Sequence, residues 1–357
     1  MTICFRCDAN ATIGFGHFYR CLSLANALFN EGLDCVFLLE TDEEQIEKRL
    51  KVSPHQHIML SKHQRLDGSN QKENAQQWLI QMGKYNLTVS LIIIDHYQIE
   101  TLWMTIIKQN AERLMVLNDS GRIWNNVDFI WDASCYYEQE YSSISSTTTL
   151  LLGPKYALLR EEFQHKPQNQ CKPNEIKKHP VLTTNLMLAI GATDPLNTTE
   201  KLLSWLISLP LNVHINVLST SANKHIPPMI KKYDNSRINF IIDSKSIALA
   251  MAQQQVIITA AGNIMWEAFS LGIPCALIKT CSNQHRNIEL VTKTMKNVYL
   301  GEETTLDSDG FLKKLSIITH ATQCSMLSQQ ALRLCDGQGA IRAAKLLASA
   351  IGEDNDR

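Results

Sequence analysis

The chain has 357 residues and a formal net charge of −1, from 34 Lys and Arg against 35 Asp and Glu. This length predicts two domains, and a composition of 45% hydrophobic and 19% charged residues excludes a disordered or fibrous chain. The balanced charge argues against a nucleic-acid partner, and no run approaches the roughly 20 apolar residues of a membrane span, so we expect a cytoplasmic protein that binds neither nucleic acid nor membranes.

The first half of the sequence alternates strands with helices. Apolar residues at helical spacing predict a first helix that begins near His17 and ends at Gly32, and another over residues 99–107. Cys4 and Cys7 have CxxC spacing, but in a strand they point to opposite faces, so we interpret them as core thiols rather than metal ligands. Apolar runs predict strands at 3–7, 34–39, 90–95, 113–117 and 128–131.

A polar stretch with three prolines, residues 166–180, predicts a linker between two domains, residues 1–165 and 181–357. A last helix is predicted over 341–348. Strands that alternate with helices form parallel sheets with helices on both faces, and ligands of such sheets bind at the carboxyl ends of the strands. The second half repeats the alternation, with strands predicted at 185–190, 213–218, 238–242, 256–258 and 275–279.

The loop after the first strand, residues 13–17, holds two glycines and a histidine. Gly14 and Gly16 permit a tight turn that would place His17 at the start of the first helix, at the carboxyl edge of the sheet. The run does not complete a dinucleotide fingerprint, since Tyr19 stands where GxGxxG needs glycine. From these residues alone, His17 is either a functional histidine or a solvent-facing side chain on a tight turn.

The strand at 90–95 ends in Asp95, followed after one residue by Tyr97. An acid and a phenol at the carboxyl end of a strand can bind polar groups of a ligand. Asp95 could equally cap the helix that follows, and the sequence alone does not separate these two interpretations.

In the second half, Gly262 precedes Asn263 at a predicted helix start. Free backbone N–H groups and the helix dipole favour an anion there, such as a diphosphate. Glu267, one turn later, could accept hydrogen bonds from two adjacent ribose hydroxyls, although a capped helix with a solvated glutamate fits the residues as well. Other candidates that follow predicted strands in this half are Gly191, Thr193, Asp194, Asn283 and Gln284.

Seven sequence blocks identify a family that the chain resembles. They are FRCDANATIGFGHFYRCLSLA, LIIIDHY, YALLREEF, IGATDP, FIIDSKSIALAM, AAGNIMWEAFSLGIP and NQ, in this order. On these blocks the chain resembles the PseG family, the UDP-2,4-diacetamido-2,4,6-trideoxy-β-L-altropyranose hydrolases of pseudaminic acid synthesis. That family is similar to the glycosyltransferase MurG, so the resemblance implies the GT-B fold, an α/β fold with two Rossmann-like parallel-sheet domains and an interdomain cleft.

The resemblance also implies roles for single residues. His17 matches the catalytic base of the family, and Tyr97 and Asn283 match positions linked to substrate and catalysis. Ile242 matches a backbone contact to uracil, and Glu267 matches the ribose-binding carboxylate. The other substrate-binding candidates in these blocks are Gly14, Gly16, Arg20, Asp95, Arg160, Gly191, Thr193, Asp194, Gly262, Asn263 and Gln284. Residues 40–80 match no motif of the family.

The implied reaction is release of UDP from an amino-dideoxy sugar nucleotide, by attack of water at the anomeric carbon with inversion. UDP is a good leaving group, so the main requirement is a base for the water, and a neutral imidazole suits that task. We expect a monomer that needs no cofactor and no metal. Two other functions stay open, a GT-B glycosyltransferase that uses a UDP-sugar donor and a non-catalytic protein that binds sugar nucleotides.

Overall fold

The computed structural model describes residues 1–10, 14–60, 66, 68–164, 184–210 and 212–352. They form two compact units: Met1–Leu158 together with Gln338–Arg357, and Leu159–Gly337. The predicted linker at 166–180 lies outside the described residues. Within the described ranges, no helix is long and apolar enough to cross a membrane.

The first unit is built on a parallel sheet in which seven strands are described, in the order β3-β2-β1-β4-β5-β6-β7. The strand β4 at its centre is buried along its whole length, as its apolar sequence predicts. Its strands are β1 (Thr2–Cys7), β2 (Asp34–Leu39), β3 (Gln56–Met59), β4 (Val89–Asp95), β5 (Arg113–Leu117), β6 (Phe129–Asp132) and β7 (Thr149–Leu152), and its helices include α1 (Gly16–Asn30), α2 (Glu44–Lys51), α3 (Gln71–Lys84) and α4 (Thr101–Lys108).

The second unit repeats this plan, with six parallel strands described in the order β10-β9-β8-β11-β12-β13. The strands are β8 (Thr184–Ala189), β9 (Val213–Ser219), β10 (Ile238–Ile242), β11 (Val256–Ala260), β12 (Cys275–Lys279) and β13 (Tyr299–Glu302). The helices are α5 (Thr198–Leu206), α6 (Ile226–Lys232), α7 (Ile247–Ala252), α8 (Asn263–Ser270), α9 (His285–Thr294), α10 (Ser308–Thr319) and α11 (Ala321–Leu334).

The last helix, α12 (Gly339–Gly352), corrects the predicted domain boundaries. The sequence placed it in the second domain, but it belongs to the first unit and packs against α1. Small buried residues, among them Ala340, Ala343 and Ala344, line its inner face and permit a close approach. A Cβ at Gly339 would lie 2.3 Å from the carbonyl oxygen of Ala157, so no larger residue fits at the start of this helix.

Both sheets share one topology, in which the first strand of the series lies beside the fourth. The strand order therefore reverses between β1 and β4 in the first unit and between β8 and β11 in the second. Loops that leave such a pair of strands turn to opposite faces of the sheet, which opens a crevice at the carboxyl ends where ligands of these folds bind. The loops after β1 and β4, and those after β8 and β11, are therefore the places to look for function.

Candidate active site

A buried cluster of polar side chains occupies the switch point of the first unit. His17 lies in the first turn of α1 and Asp95 ends β4, and His17 Nδ1 is 2.6 Å from Asp95 Oδ1. Arg20, one turn further along α1, donates from Nε to Asp95 Oδ2 at 2.6 Å and from Nη2 to Asp95 Oδ1 at 2.5 Å. We call His17 and Asp95 the His17 pair.

The electrostatics of this cluster fix the tautomer of His17. Burial would raise the pKa of Asp95, but the Arg20 guanidinium and His17 outweigh it and hold that pKa well below its usual range. An ionised carboxylate only accepts hydrogen bonds, so the short contact requires the proton on His17 Nδ1. The nearby Nη2 of Arg20, 3.0 Å from Nδ1, is then a packing contact. The other ring nitrogen, His17 Nε2, has no hydrogen-bond partner among the described residues.

Asp119, which follows β5, extends the cluster although the sequence analysis did not single it out. Its Oδ2 accepts from Arg20 Nη1 at 2.6 Å and from the Tyr97 hydroxyl at 3.1 Å. The Tyr97 ring meets the His17 ring edge-on, with 4.6 Å between the ring centroids. Asp119 carries a signal similar to that of Asp95, because it lies two residues beyond the end of β5 at the carboxyl edge. Tyr97 is half exposed and is the cluster member most open to a ligand.

A second histidine and aspartate lie at the same edge, and the sequence analysis missed both. His96 Nε2 is 3.0 Å from Asp8 Oδ2, and Arg6 binds Asp8 through both terminal nitrogens. The other ring nitrogen of His96, Nδ1, accepts from the backbone N–H of Gln98 at 3.2 Å, and Asp8 also accepts from the backbone N–H of Glu40 at 2.9 Å. We call His96 and Asp8 the His96 pair.

Asp95 and the glycines of the first loop have structural tasks. Asp95 is 1% exposed and both of its oxygens are bound within the protein. It does not cap α4, because Glu100 precedes that helix. Gly14 adopts φ +81°, a left-handed conformation that favours glycine, and Gly16 is the first residue of α1.

In the second unit, α8 begins at Asn263 as predicted, directly after Gly262. A Cβ at Gly262 would meet nothing within 4 Å, so there is open space beside this turn. Asn287 on α9 steadies the loop by donating from its side-chain amide to the Ala261 carbonyl at 2.8 Å. The first backbone N–H groups of α8 therefore stand at the switch point of this sheet.

Glu267 is buried on α8 and is held by Arg160. The guanidinium donates from Nε to Oε1 at 2.7 Å and from Nη2 to Oε2 at 2.6 Å, a bidentate pair. Each carboxylate oxygen has a second acceptor position, so Glu267 can still accept from two hydroxyls of a ligand. Arg160 was expected to contact substrate, but the structure aims its donors at a carboxylate of its own unit.

The remaining candidates of this unit divide into two groups. Asp194 is turned inward, because it is buried and its two oxygens accept from the backbone N–H groups of Thr198 and Thr199 at the start of α5. Gln284 is likewise turned inward, since its Oε1 accepts from the backbone N–H of Thr280 at 2.8 Å. The second group lies at the carboxyl edge and is partly exposed: Gly191, Thr193, Ile242 and Asn283.

Three relatives align with large parts of the chain. An uncharacterised protein of Methanocaldococcus jannaschii is 28% identical over 288 residues, which are 78% of this chain and 55% of that protein. The UDP-2,4-diacetamido-2,4,6-trideoxy-beta-L-altropyranose hydrolase of Campylobacter jejuni is 25% identical over 299 residues, 82% of this chain and 97% of the hydrolase. The spore coat polysaccharide biosynthesis protein SpsG of Bacillus subtilis is 21% identical over 208 residues, 57% of this chain and 59% of that protein.

The chain thus spans little more than half the length of the archaeal relative and nearly all of the Campylobacter hydrolase. No protein-family model matches the chain. The relatives support a connection with the hydrolase family at low identity.

Solved structures agree with the chain along almost its whole length. MurG of Acinetobacter baumannii has a TM-score of 0.62 at 10% identity and covers 97% of this chain and 98% of its own. UGT89C1 of Arabidopsis thaliana, complexed with UDP-L-rhamnose, has a TM-score of 0.66 at 11% identity with 98% of each chain covered. The chain has the GT-B fold. At such identities the likeness carries the fold alone, and the two Rossmann-like sheets are its two domains.

Proposed function

We propose that the protein is a hydrolase that releases UDP from UDP-2,4-diacetamido-2,4,6-trideoxy-β-L-altropyranose, in the cytoplasmic synthesis of pseudaminic acid. The observation that carries the proposal is the His17 pair, because Asp95 holds the proton on Nδ1 and leaves Nε2 as a base. The 25% identity to the Campylobacter hydrolase over nearly its full length supports the choice of substrate. Neither observation depends on the other.

The proposed reaction needs one base. His17 Nε2 takes a proton from a water molecule as the water oxygen bonds to the anomeric carbon, and the bond from that carbon to the diphosphate oxygen breaks. UDP leaves with the electron pair, and the sugar configuration inverts. Asp95 stabilises the imidazolium that forms, because its carboxylate already faces Nδ1–H. Tyr97 stands against the His17 ring, where its exposed face can contact the sugar.

The second unit is proposed to bind the nucleotide. The N-terminus of α8, at Gly262 and Asn263, would face the diphosphate, since its backbone N–H groups and the helix dipole favour negative charge as UDP departs. Glu267 would accept hydrogen bonds from the ribose, and the backbone at Ile242 would contact uracil. Asn283, in the turn after β12, is proposed to contact the substrate near the reacting bond.

Incubation with a panel of UDP-sugars in the absence of any acceptor tests the proposal. We expect release of UDP and free sugar in equal amounts, with NMR showing the inverted anomer before mutarotation. UDP release only when an acceptor hydroxyl is added would identify a glycosyltransferase. Binding without turnover under either condition would identify a sugar-nucleotide-binding protein, and each of these two results contradicts the hydrolase.

A further inference from the structure

Arg160 joins two acids that lie on different elements of the second unit. Besides its bidentate pair with Glu267, its Nη1 lies 3.5 Å from Oε1 of Glu162, and its guanidinium stacks over the Phe163 ring at 5.1 Å. The planar fork of arginine holds Glu267 through two parallel hydrogen bonds while it contacts Glu162, a fixed geometry that the ammonium of lysine does not provide. Arg160 thus fixes the rotamer of Glu267 from outside α8.

Glu162 carries the connection on to the turn after β10. Its Oε2 accepts from the Ser246 hydroxyl at 2.9 Å and from the backbone N–H of Ala248 at 3.1 Å, at the start of α7. That turn begins immediately after Ile242 and includes Asp243 in a left-handed conformation at φ +49°. A turn with this backbone strain needs outside contacts to keep one shape, and Glu162 supplies two of them.

A continuous chain of hydrogen bonds and ion pairs therefore runs from Glu267 through Arg160 and Glu162 to the β10–α7 turn. We propose that Arg160 and Glu162 are positioning residues that set the specificity of the nucleotide site for uridine. Arg160 orients the carboxylate that binds the ribose, and Glu162 holds the turn that contacts the base. The inference rests on the proposed function, because that function places the ribose at Glu267 and uracil at Ile242.

The test compares four probes by calorimetry: UDP, 2′-deoxy-UDP, CDP and inorganic pyrophosphate. The affinity ratio of UDP to 2′-deoxy-UDP measures ribose recognition, the ratio of UDP to CDP measures base recognition, and pyrophosphate measures diphosphate binding alone. The variants are Arg160→Lys, Glu162→Gln and the double variant. Glu200→Gln is the matched control, because it removes a partly exposed carboxylate that pairs with Lys232 in the same unit.

We expect Arg160→Lys to weaken UDP binding by about 10-fold and to lower the ratio of UDP affinity to 2′-deoxy-UDP affinity. Lysine keeps the positive charge but lacks the planar pair of donors. Glu162→Gln should weaken UDP binding by about 3- to 10-fold and lower the ratio of UDP affinity to CDP affinity, because the amide has one acceptor oxygen where the carboxylate has two. Because Arg160 and Glu162 act in one series of hydrogen bonds and ion pairs, the fold-loss of UDP affinity in the double variant should be smaller than the product of the fold-losses in the two single variants. Pyrophosphate affinity and the Glu200→Gln control should stay at native values.

Two results would overturn the inference alone. A parallel loss of pyrophosphate and UDP affinity in Arg160→Lys would mean that Arg160 binds the diphosphate directly. Native ratios in variants with a native circular dichroism spectrum and melting temperature would show that neither residue sets specificity. Glu162 is more exposed than Arg160, so Glu162→Gln keeps the test decisive if Arg160→Lys does not fold. A native protein that does not prefer UDP to CDP would overturn the proposed function, and the inference with it.

Discussion

Two histidine–aspartate pairs lie at the same edge of the first sheet, and they are built from the same kinds of residues. In each pair an aspartate at the end of a strand binds a histidine and an arginine, and the arginine keeps the pKa of the aspartate well below its usual range against the effect of burial. The pairs are His17–Asp95 with Arg20, and His96–Asp8 with Arg6.

The pairs differ in the second nitrogen of the imidazole. His96 has both ring nitrogens engaged, one by Asp8 and the other by the Gln98 backbone, and burial lowers the pKa of this imidazole despite its hydrogen bond to Asp8. His17 has Nδ1 engaged, whereas Nε2 has no partner among the described residues. A saturated pair can only hold the loops together, while an unsaturated pair can exchange a proton with a ligand. The difference supports the proposal that His17 is the base, and it leaves His96 a structural role.

The largest effect that separates the pairs is expected from His17→Ala. Loss of a general base lowers turnover by about 10²- to 10⁴-fold, so kcat for UDP release should fall by that factor. UDP affinity should change little, since the nucleotide is proposed to bind the second unit. Steady-state kinetics and UDP calorimetry measure both. A folded His17→Ala variant that keeps more than about a tenth of native kcat would contradict the base assignment.

A smaller loss is expected from Asp95→Asn. The neutral amide no longer compels the proton onto His17 Nδ1, so part of the protein carries the proton on Nε2, where it blocks the base. Hydrogen-bond partners of metal-binding histidines are worth about 10- to 100-fold in activity, and by analogy kcat should fall by about this amount. Equal kcat in Asp95→Asn and native enzyme would show that the His17 pair does not depend on its carboxylate.

The parts of both pairs that could be predicted from sequence are those with a local signal. Gly14 and the helical spacing after it placed His17 at the start of α1, and the apolar run of β4 placed Asp95 at its carboxyl end. The pairing of the two residues is not local, because it depends on β1 lying beside β4, a neighbour relation set by the sheet topology. The same is true of Arg160 and Glu267, which lie far apart in the sequence.

The strands that the sequence analysis missed are the edge strands β3, β7 and β13. Only part of each is buried, and the apolar run by which the central strands were found is interrupted in β3 and β13 and is only three leucines long in β7. The last helix was found, but its partner was not. The small residues of α12 predict that another element packs closely against it, but they do not predict that this element is α1.

Acid should destabilise the protein in two stages, and the first depends on His55 and His96. Burial lowers the pKa of His55 to about 4 and also lowers that of His96. Below about pH 6.5 these two histidines therefore bind protons in the unfolded chain before they do so in the folded protein. The free energy of unfolding then decreases as pH falls. Below about pH 4 the depressed pKa values of Asp8 and Asp95 add a second decrease, because unfolded carboxyls bind protons first.

Urea unfolding at a series of pH values measures these stages. His96→Gln should show a shallower decrease between about pH 6.5 and 4 than the native protein, with kcat near the native value, since this side chain does not exchange protons with substrate. An identical slope in the variant would mean that His96 is not held neutral by its surroundings.

Removal of divalent metal ions is expected to leave turnover unchanged, because we expect neither pair to bind a metal ion. In each one an arginine neutralises the aspartate, so a cation placed between His and Asp would be repelled by the guanidinium. Across the described parts of the chain, no group of three or more His, Cys, Asp or Glu side chains is placed to hold a metal ion.

The proposed counter-charge for the departing diphosphate is instead the N-terminus of α8. Turnover should therefore survive exhaustive EDTA treatment of protein and substrate. Activity that is lost with EDTA and returns with magnesium would mean that UDP leaves as a metal complex and that the α8 N-terminus alone does not stabilise it.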